Sequence, residues 1–268
     1  MAYAFSFLRY CLFWIENNWY FRGKYIAEKC LKAMVLLIKG MFWANIRYVF
    51  LFKSDYILKN VLGTWKIRAW SDHDYILSPI FEASLQKYFL TNSEIFIDIW
   101  AHVGKWSVFV GKYQPNTKIY AFEANSETFA YLKENLGLNW VKNASAINVG
   151  ISSSPGTLNF ESSKDISAVS KISASNNNEC SLITVTSIDN FLWGKLSWSE
   201  KILVKIDVEW HEEAVLQWME NLLIQSTNTS ILCEILSREN YNRIIPYMKS
   251  LGYSFEKLPT WYDYLFTK

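Results

Sequence analysis

From Glu94 onward, short apolar runs alternate with segments that carry helix signals, and this alternation restricts the fold more than any other feature of the chain. Ile95-Phe-Ile-Asp-Ile99, Lys118-Ile-Tyr-Ala-Phe122, Ala146-Ile-Asn-Val149, Ile202-Leu-Val-Lys-Ile-Asp207 and Ser230-Ile-Leu-Cys-Glu-Ile235 are short and nearly continuously apolar. Such runs read as strands buried on both faces. Between and after them, Gly104 to Tyr113, Glu127 to Leu138, Glu212 to Leu223 and Arg238 to Leu251 read as helices. Ser126 is the candidate N-cap of the second, and Gly252 stands where the last should end. Repeated strand–helix alternation implies an α/β fold: a mainly parallel twisted sheet with helices on both faces. Residues 161–181 are rich in Ser, Asn and Lys and predict a long polar loop of the kind that often forms a lid.

The first sixty residues have a different texture. They are rich in Phe, Tyr, Trp and Leu, interrupted by Arg9, Arg22, Lys24, Lys29, Lys32, Lys39 and Arg47. Their uncharged stretches fall short of the ~20 residues that a membrane span needs. No basic segment followed by an apolar run and a small-residue cleavage site is present, which argues against a signal peptide. Residues 1–60 are therefore expected to form a helical N-terminal extension and residues 61–268 the α/β domain. Aromatic helices of this kind usually pack as core; the sharper alternative is a basic, aromatic surface for peripheral membrane contact. The 27 basic and 25 acidic residues leave a net charge of only +2, without the clustered charge that a nucleic-acid footprint requires. Cys11, Cys30, Cys180 and Cys233 form no CxxC pair, so a reducing, cytoplasmic setting is the expectation.

In sheets of this type ligands bind beyond the carboxyl ends of the strands. Those ends carry Asp98, Glu123, Asn148, Asp207 and Glu234. Any one of them could merely cap a helix or bind turn amides; the ordered set marks a site. Glu123 ends the second strand about twenty residues after the glycine turn, where a carboxylate can accept from both hydroxyls of a ribose. A dinucleotide would need a glycine-rich turn for its pyrophosphate, and the first turn here carries Asp98 and one glycine, Gly104. An acidic turn suits the ammonium and sulfonium of S-adenosylmethionine better.

The strings Phe96-Ile-Asp-Ile-Trp-Ala-His-Val-Gly104, Tyr120-Ala-Phe-Glu-Ala-Asn125, Asn148-Val-Gly-Ile-Ser152 and Lys205-Ile-Asp-Val-Glu-Trp-His-Glu212 resemble the motifs of the FkbM methyltransferases. That family writes them F-I-D-I-G-A-N/H-x-G, Y-A-F-E-P-N, N-x-G-x-S and K-I-D-V-E-G-x-E, and the order holds over about residues 90–256. The resemblance implies a Rossmann-like methyltransferase fold. It also implies methyl transfer from S-adenosylmethionine, commonly to a hydroxyl of a sugar, glycan or natural-product acceptor. By the same resemblance Asp98, Ala101, His102 and Gly104 hold the methionine end of the cofactor. Glu123 with Asn125 holds the ribose, and Asn148 and Gly150 flank the adenine. Asp207, Glu209, His211 and Glu212 face the reacting hydroxyl. A base is needed there, and Asp207, Glu209 and His211 are the candidates. No metal is expected, although Asp207 and Glu234 could offer ligands.

Departures from the pattern fall on glycines. Trp100 and Trp210 replace glycines of the first and fourth motifs, and Trp140 and Trp218 also stand where glycine is usual. Trp140 follows a helix and precedes a strand, a place suited to a glycine cap. The chain has 13 tryptophans against 10 glycines. Two readings follow. Either the tryptophans are genuine and the site is remodelled or dead, the alternative function then being a degenerate, non-catalytic relative that binds a partner or membrane through its aromatic N-terminus, or UGA codons read as glycine in the cell have been printed as tryptophan. The second makes Trp65, Trp70, Trp193, Trp198 and Trp261 suspect as well. A nicotinamide oxidoreductase is a distant third, disfavoured by the first turn.

Overall fold

The computed structural model describes residues 55–69, 71–79, 81–161, 171–172, 180–208 and 211–268. Residues 1–54 of the expected helical extension lie outside the described residues, as do Trp70, Glu209 and Trp210. The chain divides into two compact units, the first ending at Phe81 and the second spanning Glu82–Lys268. In the first, β1 (Tyr56–Lys59) and β2 (Thr64–Ile67) pair as an antiparallel hairpin, followed by a single helical turn, α1 (His73–Ile76). Asn60 shapes the hairpin turn: its Oδ1 accepts from the N–H of Leu62 and Gly63 and from the indole Nε1 of Trp65, at 3.0, 3.1 and 3.1 Å.

In the second unit, α2 (Gln86–Phe89) precedes β3 (Ile95–Ile99), α3 (Lys105–Tyr113), β4 (Lys118–Phe122), α4 (Ser126–Leu138) and β5 (Ala144–Ile147). Next come β6 (Gly150–Ile151), β7 (Gly156–Glu161), β8 (Lys171–Ile172), β9 (Cys180–Thr186) and α5 (Ile188–Leu192). β10 (Ile202–Ile206), α6 (Glu212–Gln217), α7 (Glu220–Gln225), β11 (Thr229–Glu234), α8 (Arg238–Ser250), β12 (Ser254–Lys257) and β13 (Asp263–Thr267) complete it. The main sheet has the order β12-β13-β11-β10-β3-β4-β5. Six strands run parallel and β13, between β11 and β12, runs against them. Every residue of β3 and β10 is buried, as continuous apolar runs require when both faces are covered. The chain leaves β3 toward β4 and β5 and returns to β10 on its other side, so the switch point of the sheet lies between β3 and β10.

The structure corrects three local expectations. The Ser/Asn-rich stretch is flanked by strands: β7, β8 and β9, with β6, form a second sheet in the order β6-β9-β7-β8. The alternation in Cys180-Ser-Leu-Ile-Thr-Val-Thr186 is the strand signal that the polar composition hides. The N-cap of α4 is Asn125, whose Oδ1 accepts from the N–H of Glu127 and Thr128 at 2.9 and 3.2 Å. The single helix expected over 212–223 is broken at Trp218 and Met219 into α6 and α7.

The end of α4 is a Schellman motif. The N–H of Trp140 bonds the carbonyl of Gly137 and that of Val141 the carbonyl of Leu136, both at 3.0 Å, with Trp140 left-handed at φ 58°. α8 ends the same way: Gly252 donates to Lys249 and Tyr253 to Met248, again at 3.0 Å, with Gly252 at φ 88°. Trp140 is 83% exposed, so little burial offsets its conformation. A left-handed non-glycine residue costs roughly 1–2 kcal/mol and glycine's extra freedom when unfolded returns about 0.5–1 of that. Trp140→Gly is expected to raise the unfolding free energy by about 0.5–1 kcal/mol, and Gly252→Trp to lower it by about the same amount, read from urea denaturation midpoints. A Cβ at Gly252 would meet only the Lys268 side chain, at 4.0 Å, so the loss there is one of backbone.

Candidate active site

The loop from β3 to α3 is built from left-handed residues: Trp100 at φ 67°, His102 at 53° and Gly104 at 91°. Its shape is fixed by backbone bonds. Ala101 N–H donates to the Phe122 carbonyl at 2.8 Å and Gly104 N–H to that of Ala101 at 2.9 Å. Gly104 is needed on a second ground, since a Cβ there would lie 2.7 Å from Leu132 Cδ1. Beneath the loop, Asp98 is buried at the end of β3. Its Oδ2 accepts from Ser107 Oγ at 2.6 Å, and its Oδ1 has no hydrogen-bond partner among the described residues. Burial pushes the Asp98 carboxyl up, against the opposing effects of Lys205 and Ser107.

Glu123, at the end of β4, links this loop to the next. Its Oε2 accepts from His102 N–H at 2.9 Å and its Oε1 from Asn125 N–H at 2.8 Å. Asn148 Nδ2 donates to the carbonyls of Glu123 and Ala124 at 2.8 and 3.1 Å, so the third strand end also braces the second. Gly150 opens β6, where a Cβ would sit 3.0 Å from Ile183 Cδ1. Burial raises the Glu123 carboxyl to about 7 from its ordinary 4.5, despite the two N–H donors that favour its charge. A carboxyl raised in the folded state contributes stability that is complete below the unfolded value and lost as pH rises through the folded one. In Glu123→Gln, the fall in unfolding free energy between pH 4.5 and 7 is expected to be shallower by about 3 kcal/mol, measured as the difference between the two pH profiles.

Across the switch point, β10 lifts a buried lysine into the site. Lys205 lies opposite Asp98 in the β3–β10 register, and its Nζ is 2.8 Å from Asp207 Oδ2. Burial alone would lower the Lys205 ammonium, but the charges of Asp207 and Asp98 reverse this and hold it well above its usual range. Burial likewise works to raise Asp207, and the Lys205 charge and hydrogen bond overturn it, so Asp207 is held below the usual carboxylate range. Asp207 hydrogen-bonds Glu234, whose carboxyl is pushed far up by burial and by the neighbouring negative charge. Glu234 is level with Asp263 across β11 and β13, and burial raises Asp263 to about 6. Three carboxyls thus stand side by side at one end of β10, β11 and β13.

Trp100 lies between these two halves. Its indole is 8% exposed and packs on Phe160, with ring centroids 5.8 Å apart. The cavity that it lines with Ile151, Val208, His211 and Val215 has about 10 Å³ left, room for about one water. His211 thus faces the same space as Trp100, at the N-cap position of α6. Glu212, expected beside the reacting hydroxyl, is instead fully buried and accepts from Asn240 Nδ2 at 3.2 Å.

The structure draws Ala101, His102, Gly104, Glu123 and Asn125 together by hydrogen bonds, buries Asp98 beneath them on Ser107, and sets Asp207 and His211 across from them. Lys205 and Asp263 escaped selection from sequence. A lysine inside an otherwise apolar run was the available signal for the first. Glu234 was visible as a strand-end acid, and Asp263 sits in a hairpin that the sequence reading left unassigned.

Solved structures similar to the chain include a precorrin-6y C5,15-methyltransferase from Geobacter metallireducens, 11% identical, with 70% of this chain and 88% of that one covered and a TM-score of 0.43. Another is TYW2 from M. jannaschii in complex with AdoMet, 14% identical, with 84% and 89% covered and a TM-score of 0.43. Among curated proteins, no sequence matches significantly. The sequence profile of the methyltransferase FkbM domain matches residues 98–255, from the buried aspartate of the first loop to the strand after α8. That span covers more than half of the chain and all four strand-end motifs, and the chain belongs to the FkbM methyltransferase family.

Proposed function

We propose that this methyltransferase modifies a hydroxyl of a sugar, glycan or comparable polyhydroxylated acceptor. The row Asp207, Glu234 and Asp263 carries the reading. Carboxyl groups, ionised or protonated, exchange hydrogen bonds with the hydroxyls of a polyol. Asp207 is already engaged by Lys205 and Glu234, which suits it to orient an acceptor rather than to take its proton. His211 is the base in this reading: it lines the space beside Trp100, and an imidazole nitrogen can accept the proton of an attacking hydroxyl. Glu209 lies outside the described residues and keeps its catalytic assignment by its place in the motif alone.

S-adenosylmethionine is the methyl donor of the family. Two features suit it. The unpartnered, buried Asp98 Oδ1 matches an ammonium, and the Glu123 carboxylate, held by two backbone N–H groups, matches a ribose diol. One feature does not: the Trp100 indole fills the space beyond β3 and β10. That observation favours a second reading, in which the chain with tryptophan at 100 is a non-catalytic binding protein.

The test uses a methyl-labelled donor, the Trp100→Gly protein and a panel of neutral and acidic glycans. Label recovered in an alkali-stable ether on neutral acceptors supports hydroxyl methylation. Alkali-labile ester, or label on nitrogen, overturns it. No incorporation and no cofactor binding by a folded Trp100→Gly protein would support the binding-protein reading. Among the described residues, no helix is long and apolar enough to cross a membrane. Peripheral contact through residues 1–60 remains a proposal, tested by vesicle co-sedimentation with and without that segment.

A further inference from the structure

We infer that positions 100 and 140 are glycine in the cell, their codons being UGA read by a translation apparatus that inserts glycine there. The argument at 140 rests on backbone geometry alone; at 100 it also rests on the methyltransferase reading above.

The strongest comparison is internal. α4 and α8 end in the same pair of hydrogen bonds, with the same two donors and the same two acceptors counted from the helix end. The left-handed position is Gly252 in one and Trp140 in the other. Glycine is the usual occupant there because it has no Cβ to crowd the preceding carbonyl. At 140 the indole is exposed and gains nothing visible in exchange.

Position 100 repeats the pattern in the first loop. The non-glycine residues with positive φ among those described are Glu82, Asn92, Trp100, His102 and Trp140. Asn and His are enriched in that region, whereas for a bulky residue it is an outlier. Trp100 and Trp140 are therefore the bulky outliers, and Glu82, left-handed but slender, belongs to neither group. The Trp100 side chain also closes the one place where a sheet of this topology binds its ligand. Without it, Ile151, Val208, His211 and Val215 would border an open cleft between the Asp98–Glu123 network and Asp207.

Other tryptophans behave in the opposite way. Trp65 donates Nε1 to Asn60 Oδ1 at 3.1 Å. Trp106 donates Nε1 to Glu82 Oε2 at 3.2 Å and stacks on Phe89 with centroids 4.0 Å apart. Both have ordinary backbones and use their indoles, so the suspicion that the sequence casts on Trp65 does not survive. Trp193 and Trp218, at φ −52° and −78°, make no demand for glycine either, and the inference does not extend to them. A single reassigned codon accounts for this split. UGA is tryptophan in some genetic codes and glycine in others, and a glycine-code gene translated by a tryptophan-code table acquires indoles where glycines belong.

The test reads the gene at codons 65, 100, 106 and 140 and weighs the peptides spanning 88–105 and 134–142 from protein isolated from the source cells. UGA at 100 and 140, UGG at 65 and 106, and both peptides lighter by the difference between an indolylmethyl group and a hydrogen are the expected results. UGG at 100 or 140 overturns the inference, as does a tryptophan mass for either peptide. UGA at 65 or 106 overturns the sorting by backbone conformation. The methyltransferase reading fails separately: a folded Trp100→Gly protein that binds no cofactor would sink it and leave the codon result untouched.

Discussion

Titrated with S-adenosylhomocysteine, the Trp100→Gly protein is expected to bind about 100- to 5000-fold more tightly than the chain with tryptophan at that position. To enter beyond β3 and β10, the ligand must evict a buried indole that packs on Phe160. Removing a buried tryptophan side chain typically costs about 3–5 kcal/mol, which is a factor of roughly 100–5000 in affinity. The same substitution relieves a left-handed tryptophan, worth roughly 1–2 kcal/mol, so the unliganded variant is less stable by only about 1–4 kcal/mol. Circular dichroism and a urea titration of the free variant separate weak binding from poor folding, and adding Trp140→Gly recovers part of the loss. Equal affinity of the two proteins would mean that the indole swings aside at little cost and that its packing has been overvalued.

The second large effect is on folding. Lys205 stands between two carboxylates at the centre of the sheet, opposite Asp98 and 2.8 Å from Asp207. Lys205→Met keeps the length of the side chain and removes the charge. It leaves Asp98 and Asp207 facing each other without a cation, a situation that typically costs about 3–5 kcal/mol. The deficit should shrink as pH falls, because both carboxyls would be raised in the variant and protonate sooner in the folded state than in the unfolded one. Urea denaturation at pH 7 and pH 5 tests both parts. A loss below about 1 kcal/mol at pH 7 would show that the pair merely breaks even against an apolar replacement.

The sequence exposed those parts of the fold whose burial is uniform. β3, β4 and β10 lie where the continuous apolar runs place them, because strands covered on both faces have no polar side to blur the signal. β12 and β13 were not seen. β12 is mostly exposed and carries Glu256 and Lys257, and its partner β13 runs antiparallel, so neither resembles the central strands. The site is legible as a set of strand-end acids, and the glycine pattern points to Trp100 and Trp140, which are left-handed, and equally to Trp218, which is not. What no local pattern could supply was register. Lys205 matters because it stands opposite Asp98, and Asp263 because it stands opposite Glu234. Both facts belong to pairs of strands far apart in the chain.

The position of β13 has a consequence for how the protein is made. Residues are synthesised in order, yet this strand, late in the sequence, is slotted between β11 and β12. While Asp263–Thr267 are still inside the ribosome, β11 presents a bare edge of amides and carbonyls to the crowded space around the exit tunnel. The nascent sheet stays open to pairing with other chains until β13 has emerged. Cooperative closure of this domain therefore waits until β13 has left the exit tunnel.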